Sequence, residues 1–247
     1  MMRKILAVTG ARSEYDLLFG LYQKLNEDSE IDFEIVITGS HLSEKFGLTA
    51  KFVEEDGFEV ADRIYNLIGS DTKIGRVVSL GNQIPGLAQV FNRIDPDLVL
   101  IAGDREEALS VTLTAAYMDI PVVHFFGGDV AKDGNIDNSV RYAASKLAHL
   151  HFPTLEQHRE TLLKLGEDDW RIHVVGNPAI DRIISVPKLN REDIFLKFGL
   201  SDNSNNYFVL IQHSIITEVE QQSFQIRQTL DAILESDTFC FINYPNS

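Results

Sequence analysis

The feature that most constrains the fold is a repeated order of apolar run, glycine-containing turn and amphipathic segment. Apolar runs end at Thr9-Gly10, Thr38-Gly39, Gly103-Asp104 and Gly127-Gly128, and most are followed by apolar residues at helical spacing. The runs are apolar throughout, which is typical of strands covered on both faces. The sequence therefore predicts an α/β protein with a Rossmann-like parallel sheet and helices on both of its faces.

The same pattern suggests two domains. Strands are predicted at residues 4–8, 33–37, 98–102, 121–126, 149–152, 171–175, 207–211 and 239–244. Helices are predicted at residues 13–25, 76–94, 106–118, 139–148, 156–165 and 218–234. A proline-containing pause near residue 186 divides them, so we expect an N-terminal Rossmann-like domain at residues 1–185 and a second at 186–247. The sequence stops directly after a strand-like run, so we expect the second domain to be incomplete.

Composition restricts the partners. The 247 residues include 22 basic and 37 acidic side chains, a net charge of −15, which argues against nucleic acid or an anionic membrane as the main partner. The single cysteine, Cys240, rules out an internal disulfide and fits a reducing compartment. No apolar run approaches the ~18 residues of a membrane span, and the first residues read as a strand. We therefore expect a cytoplasmic protein.

Polar side chains follow several of the predicted strands, where parallel α/β sheets bind ligands. They are Arg12, Ser13, His41, Asp104, Arg105, Asp129 and His213. Together these side chains are typical of a site that binds a phosphorylated ligand and carries out acid/base catalysis. The turn at Gly10-Ala11-Arg12-Ser13 either binds a phosphate or is only a helix start with Ser13 as its N-cap. It matches neither the dinucleotide-binding glycine pattern nor the P-loop.

Two of the remaining motifs have two interpretations each. Asp104 is either catalytic or an acid that stabilises a helix start. Asp129 follows paired glycines that allow a ligand close to the backbone. Arg141 either faces a ligand or is a surface charge on a capped helix. His124 is expected to be a core histidine with its hydrogen bonds satisfied. His149 and His151 lack partners at metal-ligand spacing, so no metal site is expected.

Several motifs in order resemble the hydrolysing UDP-N-acetylglucosamine 2-epimerases of sialic-acid and legionaminic-acid pathways. The likeness runs from residue 3 to the last residue. It is carried by Val8-Thr-Gly-Ala-Arg-Ser-Glu-Tyr15, Thr38-Gly-Ser-His41, Gly103-Asp-Arg-Glu-Glu-Ala-Leu109, Pro121-Val-Val-His-Phe-Phe-Gly-Gly-Asp129, Ile136-Asp-Asn-Ser-Val-Arg141, Gln212-His213 and Tyr244-Pro-Asn-Ser247.

The resemblance implies two Rossmann-like domains facing each other across a cleft, as in GT-B glycosyltransferases. It implies elimination of UDP across C1–C2 of the sugar, hydration of the resulting glycal, no cofactor, and a homo-oligomer. By motif match, the catalytic candidates are Asp104, Asp129, Asp137, Arg105 and His213. The substrate-binding candidates are Arg12, Ser13, His41, Arg141 and Asn246.

This sequence departs from the family pattern in ways that leave alternatives open. The glycine pair is followed by Asp129 where Glu is usual, and preceded by Phe126, which cannot move a proton. Family members also continue past Pro245-Asn246-Ser247 into a uridine-binding region. The alternatives are therefore a non-hydrolysing 2-epimerase, a GT-B glycosyltransferase, or a non-catalytic fragment that binds a sugar nucleotide.

Overall fold

The computed structural model describes residues 2–70, 72–132, 136–200, 206–213 and 216–243. These residues fall into two compact units. The first lies within Met1–Ala131 and Ile136–Ser185, and the second comprises Lys132 and residues within Val186–Ser247.

The first unit contains a six-stranded sheet in which all neighbouring strands are parallel. Its strands are β1 (Arg3–Thr9), β2 (Ile31–Thr38), β3 (Val60–Ile64), β4 (Leu98–Ala102), β5 (Val122–Phe125) and β6 (Leu150–Phe152). They lie in the order β3-β2-β1-β4-β5-β6. This is the Rossmann order, and its direction reverses between β1 and β4, the position where such sheets form a ligand crevice.

Seven α-helices belong to this unit among the described residues. They are α1 (Arg12–Glu27), α2 (Ala50–Glu55), α3 (Lys73–Ile94), α4 (Glu106–Tyr117), α5 (Asp137–Leu147), α6 (Glu156–Lys164) and α7 (Pro178–Ser185). Helix α3 begins after Thr72, whose side chain accepts a hydrogen bond from the Gly75 N–H, and it continues through Pro85. A Thr N-cap of this kind satisfies one of the free amides of a first turn.

Side-chain alternation along the strands builds a core on each face of the sheet. Leu6 and Val8 of β1 enter one apolar cluster, while Ala7 between them enters the other. The second cluster includes an aromatic group from α1 and its neighbours, with Tyr22 packed against Phe33 at 5.4 Å between ring centroids. Because both faces are covered, the strands are apolar on both sides.

The second unit continues the alternation of strands and helices. Its elements are α8 (Arg191–Lys197), β7 (Tyr207–Ile211), α9 (Gln222–Glu235) and β8 (Phe239–Asn243). β7 and β8 pair in parallel, as two strands joined through a helix usually do. Rings from α8, β7 and β8 pack together, with Phe239 and Phe241 4.9 Å apart.

The predicted fold class, an α/β protein with Rossmann-like parallel sheets, is confirmed. The predicted strand at residues 171–175 is wrong: Ile172 forms only an isolated bridge to His151 at the edge of the sheet. The sequence did not indicate β3, which is a partly exposed edge strand containing Asp62 and Arg63. The domain assignment of residues 1–185 and 186–247 stays a prediction. Across the described part of the chain, no helix combines the length and the apolarity that crossing a bilayer requires.

Candidate active site

The carboxyl ends of β1, β2, β4 and β5 lie at one edge of the sheet, because parallel strands all point the same way. Tight turns follow these strands, and Gly39, Gly103 and Gly128 there have positive φ values of 58°, 84° and 79°. Phe126, directly after β5, also has a positive φ of 64°. Such a backbone is costly for a bulky residue and is often found at functional sites. The predicted site residues that follow these strands lie at this edge.

Arg141 connects two of the predicted acidic residues. It belongs to α5, and its side chain is only 8% exposed. One terminal nitrogen forms an ion pair with the Asp104 carboxylate, and the other donates to the backbone carbonyl of Asp129 at 2.7 Å. Asp104 follows β4 and Asp129 follows β5, so this arginine ties together the ends of two neighbouring strands. The structure therefore brings Asp104, Asp129 and Arg141 into one cluster.

Asp129 has a further partner that the sequence did not indicate. Its Oδ1 lies 3.3 Å from Nε2 of His158, a histidine in the first turn of α6 whose side chain is 9% exposed. The same carboxylate oxygen accepts a hydrogen bond from the Val130 N–H at 2.8 Å. The glycine before Asp129 makes this approach possible: a Cβ on Gly128 would lie 2.2 Å from the His158 carbonyl oxygen. His158 and the backbone thus orient Asp129, while about half of its side chain stays exposed.

Asp137 is the first residue of α5, four positions before Arg141. Residues four apart on a helix lie on the same face, so Asp137 stands one turn from the arginine of the cluster. An acidic residue in a first turn also interacts favourably with the helix dipole. This position fits a role in the cluster as well as the simpler role of stabilising the start of the helix.

Arg105 lies between two buried glutamates, Glu14 and Glu107. Its Nε is 3.9 Å from Glu14 Oε1 and 3.7 Å from Glu107 Oε2. Glu14 lies in the first turn of α1 and Glu107 in the first turn of α4, so each helix contributes one buried carboxyl group near this edge of the sheet. Arg105 is a site residue predicted from the sequence, whereas the sequence indicated no role for either glutamate.

Burial changes the ionisation of this pair. Burial, together with the neighbouring charge of Glu107, raises the pKa of Glu14 to about 8 against the opposing effect of Arg105. Burial likewise raises the pKa of Glu107, and Arg105 acts in the opposite direction. Two carboxyl groups close to one cation at a ligand-binding edge are a typical arrangement for acid/base or proton-linked function.

Arg12 and Ser13 occupy the start of α1. Arg12 forms an ion pair with Asp16 at 3.3 Å, and its guanidinium lies 4.7 Å from the centre of the Phe52 ring. The interpretation of Ser13 as an N-cap is wrong: the helix begins at Arg12, its N-cap residue is Ala11, and no side chain caps it. Ser13 is exposed. These contacts hold Arg12 beside Asp16, so the structure does not join it directly to the Asp104–Arg141 cluster.

The two histidines of the strand ends are buried, and both ring nitrogens of each have a partner. His41 is fully buried, and its ring nitrogens contact Thr9 at 3.1 Å and Thr49 at 2.8 Å. His124 contacts the Gly103 carbonyl at 2.7 Å through Nε2 and Ser145 at 3.0 Å through Nδ1. Burial lowers the pKa of each histidine to about 4. The prediction of His124 as a core histidine with its hydrogen bonds satisfied is confirmed. His41 links the turn after β2 to Thr9 and Thr49, and its role in substrate binding stays a prediction.

The remaining predicted residues belong to the second unit. His213 is exposed and follows β7 by two positions, and Asn246 lies outside the described residues. A cavity of about 300 Å³ beside β3 and α3 is lined by Asp62, Arg63, Gly86, Arg93 and their neighbours, and contains none of the predicted site residues. Within the ranges that the structure describes, no group of three or more His, Cys, Asp or Glu side chains is placed to hold a metal ion.

Comparison with known proteins gives one family. The family model described as UDP-N-acetylglucosamine 2-epimerase matches residues 23–247. The UDP-N,N'-diacetylbacillosamine 2-epimerase (hydrolyzing) of Legionella pneumophila is 32% identical over 247 residues, which is 100% of this chain and 65% of that protein. The GDP/UDP-N,N'-diacetylbacillosamine 2-epimerase (hydrolyzing) of Campylobacter jejuni is 34% identical over 228 residues, covering 92% of this chain and 59% of that protein.

A solved structure shows the same fold. The Methanocaldococcus jannaschii UDP-GlcNAc 2-epimerase in complex with UDP-GlcNAc and UDP superposes with a TM-score of 0.80 at 21% identity. The match covers 98% of this chain and 66% of that one. This chain therefore spans about two thirds of the length of the proteins it is similar to.

Proposed function

Because the chain belongs to the UDP-N-acetylglucosamine 2-epimerase family, we propose that it carries the acid/base residues of a hydrolysing UDP-sugar 2-epimerase. The substrates are a UDP-linked 2-acetamido sugar and water, and the products are UDP and the free sugar epimerised at C2. The names of the Legionella and Campylobacter relatives favour a 2,4-diacetamido sugar over UDP-GlcNAc.

One observation carries the proposal: Arg141 holds Asp104 and Asp129 together at the carboxyl edge of the sheet. The C2–H of an amino sugar is weakly acidic, so its removal needs a positioned base, and its return to the opposite face needs a positioned acid. Two carboxyl groups from neighbouring strands can stand on different sides of one sugar carbon. Asp137, one turn before Arg141, is the third candidate for this work.

The reaction divides into two balanced steps. In the first, a carboxylate takes the C2 proton, the C1–O bond to the diphosphate breaks, and UDP leaves with the bonding electrons to give a glycal. In the second, a carboxyl group protonates C2 on the other face, water adds its oxygen at C1, and a carboxylate takes the proton that the water releases. We assign to Arg105 and Arg12 the neutralisation of the charge that develops on the leaving diphosphate.

Phe126 narrows the choice of acid and base. It stands directly before the paired glycines, and its φ of 64° sets the backbone of this turn at the carboxyl edge. Its ring packs near Phe125, 6.3 Å between centroids, and offers no group that can accept or donate a proton. We therefore assign the proton transfers to carboxylates at neighbouring positions, Asp104, Asp129 and Asp137.

The test is a product analysis with matched variants. Purified protein is incubated with UDP-GlcNAc and with the UDP-2,4-diacetamido sugar in D₂O, and UDP release and deuterium at C2 are followed by NMR. Free UDP together with a deuterated, epimerised free sugar supports the proposal. A sugar that is epimerised but still linked to UDP supports the non-hydrolysing alternative.

Variants connect the activity to the cluster. Asp104→Asn should abolish both UDP release and deuterium exchange, while Glu160→Gln, an exposed carboxylate change on α6, should leave both unchanged. Should residues 1–247 release no UDP while a protein extended to the length of its relatives does, the chain alone is a non-catalytic binding part. Exchange that persists in Asp104→Asn contradicts the assignment of the cluster.

We also propose a cytoplasmic homo-oligomer that assembles through helices of the first unit, as the family resemblance implies. Multi-angle light scattering of the purified protein tests the oligomeric state. A mass equal to one chain at all concentrations contradicts the homo-oligomer.

A further inference from the structure

Two buried carboxyl groups near the candidate site have no role in the proposed reaction. They belong to Glu14 and Glu107, whose side chains are 9% and 7% exposed. Charged groups are rarely buried without compensation, because transfer from water to a protein interior strongly disfavours the ionised form. Their position at the junction of β1 and β4 therefore needs a physical reason.

The surrounding backbone is shaped to receive them. The Gly10 N–H donates a hydrogen bond to Glu14 Oε2 at 3.2 Å. A Cβ on Gly10 would lie 2.5 Å from Glu107 side-chain carbons, and one on Gly39 would lie 2.3 Å from Glu107 Oε1. Only glycine leaves this space, so the turns after β1 and β2 enclose the Glu107 carboxyl group.

The other oxygen of each carboxyl group faces Arg105. Glu14 Oε1 and Glu107 Oε2 make no hydrogen bond within the described structure, and each lies within 4 Å of the Arg105 Nε. The Arg105 side chain is 46% exposed, so its Nε faces the carboxyl groups while part of the guanidinium reaches the surface. One cation thus contacts two buried acids and solvent at the same edge.

The charges of Glu14, Glu107 and Arg105 decide how many protons these three side chains hold together. Two ionised carboxylates and one guanidinium would leave a net buried charge of −1, whereas one proton makes the three groups neutral. Burial favours the neutral combination. The raised pKa values of both glutamates agree with it, since burial is the first cause for each.

Among the described residues, the other groups that act most strongly on the pair are not cations. Asp104 acts on Glu14 and Glu106 acts on Glu107, and both are acids that further favour protonation. Tyr22 faces Glu14 from α1, and burial raises its pKa, so it stays neutral. His41, from the turn after β2, is kept neutral by burial, which lowers its pKa to about 4.

We propose that Glu14 and Glu107 hold one proton between them and position Arg105 for the diphosphate of the ligand, so that diphosphate binding is coupled to proton uptake. When the guanidinium turns toward the diphosphate, the two carboxyl groups lose their shared cation. The remaining carboxylate then takes a proton from solvent. The inference rests on the proposed function, because it assigns the diphosphate of the UDP-sugar to Arg105. The glutamates are positioning residues that act through this arginine.

The first measurement needs no ligand. The pKa of Glu14 is about 8, so infrared difference spectra are recorded between about pH 6 and pH 10. They should show the carbonyl stretch of a protonated carboxyl group. Glu14→Gln and Glu107→Gln should each remove or displace this band. Glu106→Gln, whose carboxylate is the next residue and pairs with Arg76, is the matched control and should retain it. A wild-type spectrum without the band overturns the shared proton.

The second measurement tests the coupling. Calorimetry of UDP binding at about pH 8, in buffers of different ionisation enthalpy, gives the number of protons taken up per site. We expect uptake of up to about one proton in the wild type, in Glu106→Gln and in each single variant, which keeps one carboxylate beside Arg105, and no uptake in the double variant Glu14→Gln/Glu107→Gln. Binding without any uptake overturns the coupling, and absence of UDP binding overturns the assignment of the diphosphate to Arg105.

The two proposals fail in different ways. If UDP is bound with proton uptake but no UDP-sugar is turned over, the proposed function is wrong and the coupled pair stands. If UDP-sugar is turned over while wild type and the double variant Glu14→Gln/Glu107→Gln show equal uptake, the pair is structural and the proposed function stands. Circular dichroism of each Gln variant confirms folding, since Gln has the shape of the protonated acid.

Discussion

Arg141 forms an ion pair with Asp104 while its other terminal nitrogen donates to the backbone of the β5 turn at 2.7 Å. The arginine is buried, whereas about a quarter of the Asp104 side chain is exposed. A buried cation of this kind is favourable only while its partners are in place. The ion pair therefore fixes the direction of the Asp104 carboxylate and keeps its free face at the sheet edge.

Asp104→Asn should lower turnover in the full-length enzyme by about 100- to 10,000-fold, the usual contribution of a positioned acid or base. The fold should survive, because Asn keeps an oxygen for Arg141 and the Asp129 carbonyl still accepts from the same guanidinium. Coupled UDP release and thermal unfolding measure the two effects. Asp62→Asn, which alters the exposed Asp62–Arg93 pair, is the control and should leave turnover unchanged. Near-normal turnover of Asp104→Asn contradicts the assignment.

Asp129→Glu should keep turnover within about tenfold of the wild type, whereas Asp129→Asn should lose it by about 100-fold or more. The reason is that half of the Asp129 side chain is exposed, which leaves room for one methylene, and His158 can still orient the longer carboxylate. Steady-state kinetics of both variants provide the comparison. Equal loss in the two variants would show that the site requires the length of the Asp129 side chain as well as its carboxylate.

Much of the fold was predictable because the strands are apolar on both faces and end in glycine turns. β1 shows why: Ala7 and its neighbours Leu6 and Val8 all enter the core, on opposite faces. β3 was not predictable, since its residues are mostly half-exposed at the sheet edge. The stretch at 171–175 has the composition of a strand, but Arg171 donates its side-chain hydrogen bonds to His149 and Ala148 carbonyls there.

The candidate site was predictable where residues directly follow strands, as Asp104 and Asp129 do. Glu14, Glu107 and His158 were missed because each lies in the first turn of a helix, where an acid or polar residue is usual. Their importance depends on burial and on glycines that leave space for them. Both the burial and the space left by the glycines depend on how α1, α4 and α6 pack onto the sheet. No local pattern in the sequence predicts this packing.

The protein should lose stability in acid between about pH 6.5 and about pH 4 because of His41 and His124. Burial lowers the pKa of each to about 4, so below pH 6.5 the unfolded chain takes up protons that the folded chain does not. The contribution of the two histidines to the free energy of unfolding should be level above pH 6.5 and fall below it. Urea unfolding at several pH values measures the slope, which His124→Gln should reduce. An unchanged slope in that variant contradicts the attribution.

Stability should also fall toward alkaline pH because of Glu14, whose pKa rises from 4.5 to about 8 on folding. The folded state then holds a proton that the unfolded state has already lost, so this contribution is complete below pH 4.5 and disappears as pH rises through 8. Glu14→Gln should flatten the alkaline side of the profile relative to wild type. Glu30→Gln, at an exposed position, is the control and should leave the profile unchanged. Parallel alkaline profiles in wild type and Glu14→Gln would contradict the prediction.

Gly128→Ala should destabilise the protein far more than Gly166→Ala, although both glycines have a left-handed backbone with φ of 79° and 85°. The conformation alone costs an alanine about 1–2 kcal/mol, which is the loss expected at Gly166, where a Cβ meets nothing within 4 Å. At Gly128 the same Cβ would lie 2.2 Å from the His158 carbonyl oxygen, so α6 must shift and the total cost should reach about 3 kcal/mol or more. Chemical denaturation of the two variants gives the comparison. Because that shift also moves His158 away from Asp129, Gly128→Ala should lose turnover at temperatures where it is still folded, while Gly166→Ala should not. Equal destabilisation of the two variants would show that α6 does not pack against the β5 turn as closely as the structure places it.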